Sequence, residues 1–559
     1  MIKKISIIGA VLLVLAAIIL YSQQGQVYNL LNKSDEENVT YTQSQTVELP
    51  MEKVRTLNPV TSKDSDTYQI SKLIFESLFT LDEHLSLTNQ LASSYNYSGD
   101  KTSVTIHIKR DAYFSNGSNL TGDDVKYSID NYIAAATSGN TIYSSYVGNI
   151  KSVSVEKNDR YSVVVRFKDK SDVSMENFLF PIISERSYGK NTAYKVVSTD
   201  FIPVGSGPYA VESYNDISKL NLVANSYYNG TKPKNTLSFT VLPEKEDVIP
   251  LLEVNNISLG FLEDLSRDTL VSDKKISSKN FLANDVEVLG FNFAREAVTE
   301  KKVRQALAYA VDVKKLNESA YYKKGVLSDT IYFPGYLGTE NTGDNYPYNL
   351  KKSAVLLTSA GYVDRDDNGY LEDRNEKELS LTILVNGADI SRKIVAEDLK
   401  ASLDKLSISS HIVYAADGED FNNKLRQKDY DLFIGGIHIN ETYDLRNLLH
   451  SGYGNLIGYS NKKADKLLDK LKSGISQEQK METVEGLKDI LVNEVPYYPI
   501  VYKTYGALKA ESLNGDEASY MFNNFYGNAQ NWYCKYAQVK TEDLEVVDSA
   551  TGEQETEVQ

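Results

Sequence analysis

The chain has 559 residues, 41% hydrophobic and 24% charged, which is length enough for two or three packed units around a large core and composition ordinary for a soluble globular body. Its 60 basic against 76 acidic residues give a net charge of -16, with no clustered basic stripe, and this excludes nucleic acid as a partner. A single cysteine, Cys534, excludes an intramolecular disulfide and any multi-cysteine metal or cluster site.

Lys3 and Lys4 precede an uncharged apolar run from Ile5 to Tyr21. As a helix this run would span about 25 Å, just enough for a thin bilayer. Positive residues on its N-terminal side place that side in the cytoplasm and the rest outside. A cleaved signal peptide is the competing reading, but no A-x-A site and no cysteine for lipidation follows the run. We therefore expect residues 1–25 to be an uncleaved transmembrane signal anchor in the cell membrane, 26–45 a polar tether, and the body to begin near Thr46 on the extracytoplasmic side.

From Thr46 the sequence predicts a short strand, a loop around Asn58 and Pro59, and a helix carrying Ile70, Leu73, Ile74 and Leu78 on one face. Val104 to Arg110 alternates as a half-exposed strand. Asn116-Gly117 marks a turn, Thr121 caps a helix with Asp123 and Asp124 in its first turn, and Tyr161 to Lys168 is a further strand. Phe201 to Tyr214 packs two glycines and two prolines before a strand, so the backbone there must turn sharply. Val286, Val288, Leu289 and Phe291 then form a buried strand, followed by a helix opened by Thr299 and Glu300 in which Val303, Ala306, Leu307, Ala310 and Val311 recur at helical spacing.

In the second half, Lys351 to Gly361 reads as a short helix ending in glycine, Leu379 to Asn386 as a strand, Ile390 to Leu406 as an amphipathic helix and His411 to Ala415 as another strand. Such alternation argues an α/β body with a mostly parallel sheet covered by helices, a class that places ligands at its strand ends. Tyr430 to Ile437 is an apolar run broken by two glycines, as expected of a central strand with an exposed, ligand-facing tip. After Lys540 the chain is acidic and lacks aromatics, and 546–559 is expected to be a disordered tail.

Several blocks occur in the order found in one family: LNPV with LIFESLFTLD, FSNGSNLTGDDVKYSI, VGSGPYAVESY with LVANSYYNGTKPK, LGFNF with KVRQALAYAVD, and GYSNKKADKLLDKL with VPYYPIVY. Over roughly Thr46 to Gly515 the chain resembles the family 5 extracellular solute-binding proteins, the oligopeptide-, dipeptide- and nickel-binding components of ABC importers. The resemblance implies a two-lobed periplasmic-binding-protein type II fold with three domains and a hinge. Residues 46–77, 196–283 and 506–545 would form lobe I, 78–195 an inserted small domain and 284–505 lobe II, with the crossings near Phe281 to Glu287 and Tyr502 to Tyr505. In function it implies a monomer that captures a peptide between its lobes and delivers it to ABC permease subunits. The same fold could instead serve a membrane-anchored ligand sensor, a chaperone-like surface protein, or a binder of a non-peptide solute.

Relatives carry, after the strand matching Tyr430 to Ile437, an aspartate that takes a peptide's ammonium. Here the matching slot is Asn440, with Glu441 beside it and Asp444 further on; Gly436, Ile437 and His438 lead into it. A neutral amide binds ammonium less well than a carboxylate. Either Glu441 or Asp444 supplies the missing charge, the ligand is not a free-amine peptide, or both acids simply cap the next helix. Alignment further implies ligand contacts at Lys63 to Ser65 and at Phe261 to Glu263, hence Leu262 and Glu263, and near Tyr502.

No enzyme is expected, because the sequence has no H-E-x-x-H, no G-x-S-x-G, no phosphate loop and no close histidine pair. No cofactor is implied. Asp364, Asp366 and Asn368 occupy the first, third and fifth positions of an acidic turn with Gly369 at the sixth, which is a weak calcium pattern because its twelfth position is Asn375 instead of a bidentate glutamate. Five dispersed histidines make no nickel set.

Overall fold

A computed structural model describes residues 41–188, 192–243, 248–263, 275–517 and 520–537. The apolar N-terminal run, most of the expected tether and the acidic tail lie outside the described residues. Among the described residues no helix is long and apolar enough to cross a membrane.

Two compact units share these residues. In the smaller, β1 (Tyr41–Ser44) runs antiparallel to β19 (Tyr533–Ala537), with Tyr41 opposite Ala537. These four residues were expected within the tether; their partner comes from the far end of the chain, where no local pattern could signal it.

The larger unit, Thr46–Trp532, contains three sheets and a hairpin. One sheet has the order β2 (Thr46–Glu52), β11 (Thr236–Leu242), β10 (Lys219–Ala224) and β9 (Tyr209–Tyr214). β3 (Phe79–Leu81) pairs with β4 (Leu87–Asn89), and a second sheet has the order β5 (Ala92–Tyr97), β6 (Ser103–Ile108), β8 (Asp159–Phe167), β7 (Ile150–Glu156). Beside the latter lies the helix Gly122–Thr137, started by a capping box between Thr121 and Asp124. The third sheet has six strands in the order β12 (Leu259–Leu262), β17 (Tyr497–Ala510), β13 (Ile276–Phe291), β16 (Leu432–His438), β14 (Ser380–Asn386), β15 (Ser409–Ala415). A two-residue strand, β18 (Leu513–Asn514), follows β17.

This sheet is mixed, which corrects the mostly parallel arrangement expected. Only β16, β14 and β15 are parallel neighbours, while β12, β17, β13 and β16 pair antiparallel. The strand-helix alternation seen in the sequence covers the parallel corner alone; the long strands β13 and β17 reach the sheet from distant parts of the chain.

Those two strands join two packed regions. β12 pairs with the C-terminal half of β17, Leu262 opposite Gly506 and Leu259 opposite Lys509. β16 pairs with the other half of β13, from Asp285 opposite His438 to Phe291 opposite Leu432. Between the halves the β13–β17 register breaks, passing from Leu282 opposite Thr504 to Val286 opposite Tyr502. One core holds Leu508 and Ala510 with Leu252 and Ile257, and another holds Tyr498, Ile500 and Val501 with Leu289, Ile383 and Ile434. A single strand thus feeds two cores.

After β13 comes a single helical turn, Glu296–Thr299, and then the helix Lys301–Tyr309, which Glu300, not Thr299, caps by accepting from the Lys302 amide. Its apolar face is buried in the second core as the spacing implied. The helix expected to include Leu78 is Ser65–Ile74 and stops earlier, at Phe75. Its end is where the glycines of the VGSGPY segment matter. The Gly207 amide donates to Ile74 O at 2.8 Å, and a Cβ on Gly205 would stand 1.9 Å from that same carbonyl. The requirement is close backbone approach. Gly205→Ala is expected to cost on the order of 3 kcal/mol of stability, read as a lower urea midpoint at unchanged slope.

Candidate functional site

Helix Ser65–Ile74, the tip of β16 and the register break in β13 and β17 converge on three adjoining cavities. The first, about 370 Å³, is lined by Lys63, Ser65, Glu263, His438, Asn440 and Glu441 together with Tyr68, Tyr146, Asn284 and Tyr505. A second, about 240 Å³, shares Ser65, Glu263 and Tyr505 with it and is walled by Leu262, Phe261 and Phe525. The third, about 480 Å³, also contains Glu263, beside Glu287, Tyr321, Asp389 and Lys503. Six residues singled out from widely separated parts of the sequence therefore meet in one chamber, and Leu262 borders the next.

Glu441 is the most enclosed of them, at 5% exposure. Its Oε2 accepts from the Tyr68 hydroxyl at 2.8 Å and from Asn523 Nδ2 at 3.3 Å, and its Oε1 accepts from the Tyr146 hydroxyl at 3.2 Å. Lys72 Nζ stands 3.7 Å from Oε1 and 4.6 Å above the Tyr68 ring. Tyr68 and Lys72 lie one helical turn apart, so one helix supplies both a hydroxyl and the counter-charge. Burial, and then the negative charge of Glu441, push both tyrosine hydroxyls well above their ordinary pKa. The carboxylate is fully partnered and caps no helix.

Asp444 faces elsewhere. It binds the Arg446 guanidinium, with Oδ2 2.6 Å from Nη2, and Arg446 also reaches Asp172 at 3.2 Å. Burial opposes its charge, but Arg446 and Lys472 outweigh that and hold the carboxyl below the usual carboxylate range. Tyr502 is wholly buried and its hydroxyl donates to Ile331 O at 2.6 Å, so it belongs to the packing beneath the chamber. Ile437 sits on β16 opposite Val286 and lines none of the three cavities.

Gly436 has another task. A Cβ there would come 2.5 Å from Arg392 Nη2 and 2.9 Å from Glu287 Oε1, so the missing side chain makes room for that ion pair. Lys63 is exposed and donates from Nζ to Gly139 O at 2.9 Å. His438 Nδ1 meets Asp285 Oδ1 at 2.9 Å, and the Tyr505 hydroxyl donates to Asp285 Oδ2 at 3.1 Å. The hydrogen bond to Asp285 raises the imidazole above its ordinary pKa. Tyr68, Lys72 and Tyr146 escaped the sequence reading, and Asn284 and Tyr505 entered it only as part of the two expected lobe crossings. Only the one-turn spacing of Tyr68 and Lys72 was visible there.

The family described as bacterial extracellular solute-binding proteins, family 5 Middle, matches residues 86–490. The chain belongs to this family. Among its relatives, the oligopeptide-binding protein AppA of Bacillus subtilis is 24% identical over 483 residues, covering 82% of this chain and 86% of AppA. The glutathione-binding protein GsiB of Escherichia coli is 22% identical over 488 residues, covering 82% and 89%. AppA in complex with a nonapeptide superposes with a TM-score of 0.57 at 22% identity, covering 88% of this chain and all (100%) of that one. NikZ from Campylobacter jejuni in complex with Ni(L-His) gives 0.62 at 21%, covering 88% and 99%. These structural likenesses establish the α/β fold of this solute-binding protein.

Proposed function

We propose that this solute-binding protein captures peptides in the cleft formed by the three cavities and hands them to an ABC importer. The observation that carries the reading is the pair of strands β13 and β17. They join two separate cores, and their register breaks at Leu282 to Val286, beside the chamber. A register break between two cores is where a hinge costs least. Lobe I would hold Lys63, Ser65, Leu262 and Glu263, and lobe II would hold Gly436, Ile437, His438 and Asn440, so a ligand touching both favours the closed form. Relatives named for oligopeptide and glutathione binding support a peptide ligand.

An extended peptide would gain affinity from its main chain, while roomy side-chain space tolerates varied sequence. Glu441 would then act as a strut between lobes, because Tyr68 and Lys72 approach it from the lobe I helix. The apolar run from Ile5 to Tyr21 would hold the body, as a monomer, at the outer membrane surface beside the permease.

Thermal unfolding with a panel of di- to nonapeptides tests this. A ligand at 100 times its dissociation constant stabilises by about 2.7 kcal/mol, which shifts a melting midpoint by several degrees. Indifference to every peptide, with a response to a metal chelate or another solute, would overturn the peptide reading.

A further inference from the structure

We infer that the turn from Asp364 to Glu372 is a calcium site, remote from the cleft and unrelated to cargo. The acidic turn lacks a ligand at its twelfth position, but the structure supplies one at the ninth. Carboxylate oxygens of Asp364, Asp366 and Glu372 all lie within 4.8 Å of one another. Calcium holds its oxygens at about 2.3–2.6 Å, so ligands around one ion stand at most about 5 Å apart. The three carboxylates meet that limit without rearrangement.

Glu372 provides the independent observation. It is only 3% exposed, and its Oε1 is buried without a hydrogen-bond partner. Its Oε2 accepts from the Arg365 amide at 2.7 Å. No basic side chain among the described residues forms an ion pair with Asp364, Asp366 or Glu372. A buried carboxylate oxygen left without a partner is costly, and a cation bound by all three carboxylates removes that cost.

The backbone holds this acid in place before any ion arrives. Glu372 bridges Val363 on one side and Glu378 on the other, with its amide donating to Val363 O at 2.9 Å. Its neighbour Leu371 donates to Ser407 O at 2.9 Å. Gly369, with φ at +91°, provides the sharp reversal that turns Asp364 and Asp366 toward Glu372. Asn368, at the fifth position, is exposed; its Oδ1 accepts from the Tyr370 amide at 2.8 Å and its Nδ2 donates to Asp366 Oδ2 at 3.1 Å, so water would complete the shell. All-oxygen ligands on an open turn suit calcium better than magnesium, which demands near-ideal octahedral geometry and keeps its waters.

The test is calorimetric titration of the metal-free chain with calcium chloride, paired with thermal unfolding in chelator and in about 2 mM calcium. One calcium per chain is expected, with a dissociation constant of about 0.1–1 mM and a rise in melting midpoint of about 0.5–2 °C; magnesium should give less than a third of that rise. Asp366→Asn and Glu372→Gln should each weaken binding at least about tenfold. Glu372→Gln should also melt higher than wild type in chelator, because it removes a buried charge and keeps the shape; a site without calcium function would not predict this pairing. No heat and no shift up to about 10 mM calcium, or unaltered binding in both variants, would overturn the assignment. Asp364→Asn serves as the second variant if one of the others fails to fold.

Discussion

Glu287→Ala is expected to destabilise the body by about 3–5 kcal/mol, the cost of removing one partner from a buried ion pair. The Glu287 side chain is 1% exposed. Arg392 grips it with two bonds, Nε to Oε2 at 2.8 Å and Nη2 to Oε1 at 2.9 Å, and Lys503 Nζ adds a third contact at 2.8 Å. Alanine leaves two cations facing each other, and Gly436 across the sheet offers no side chain to fill the space. Burial opposes the charge of Glu287, yet Arg392 and Lys503 outweigh it, so its carboxyl titrates below the usual carboxylate range. A depressed folded-state pKa means the stabilisation is present above the unfolded value of about 4.3 and is lost as pH falls through the folded value. Urea unfolding of wild type and Glu287→Gln should therefore differ most near neutrality and converge in acid. A difference that stays constant with pH would mean that the carboxylate charge contributes nothing.

This pair also shows where sequence reading stopped. Gly435 and Gly436 mark an exposed strand tip, and Gly436 is indeed exposed, but its reason is the Glu287–Arg392 pair contributed by another strand and a helix. Local features were readable because their partners are neighbours: the Thr121–Asp124 capping box and the glycine ending the helix Leu350–Ala360 both close within a few residues. The meeting of Lys63, Ser65, Glu263, His438, Asn440 and Glu441 came from family resemblance, not from pattern. Tyr502 came from the family alignment, and β17 is buried almost continuously on both faces, so alternation could not have said which of its tyrosines reaches a cavity. Glu372 escaped because the ninth position of a twelve-residue calcium loop is a variable one, often filled through water, while attention goes to the bidentate glutamate missing at the twelfth. The mixed sheet escaped because antiparallel pairing of β13 with β17 leaves no local trace.

Acetylating the N-terminus of a bound peptide is expected to change its affinity by less than about threefold, whereas in Lys72→Met the free-amine form should gain at least about tenfold over the acetylated one, or about 1.4 kcal/mol. Glu441, the most enclosed acid lining the chamber, is already neutralised from within. Each oxygen of Glu441 has a hydroxyl donor, Asn523 adds a third bond, and Lys72 provides the ammonium at 3.7 Å. Asp444 is likewise held by Arg446 at 2.6 Å. A ligand ammonium would have to displace Lys72, exchanging one ion pair for another with no net Coulombic gain and the cost of a partly buried lysine left unpaired. Methionine at position 72 keeps the side-chain volume and removes the charge, leaving a partly desolvated carboxylate that a ligand ammonium can fill. Calorimetric titration of one peptide in both forms against both proteins gives a four-membered cycle whose coupling term isolates the exchange. A wild-type preference of tenfold or more for the free amine would show that the ligand displaces Lys72, and would return Glu441 to the role of ammonium receptor. Failure of any peptide to bind either protein would instead count against the peptide reading, so the two failures are separable.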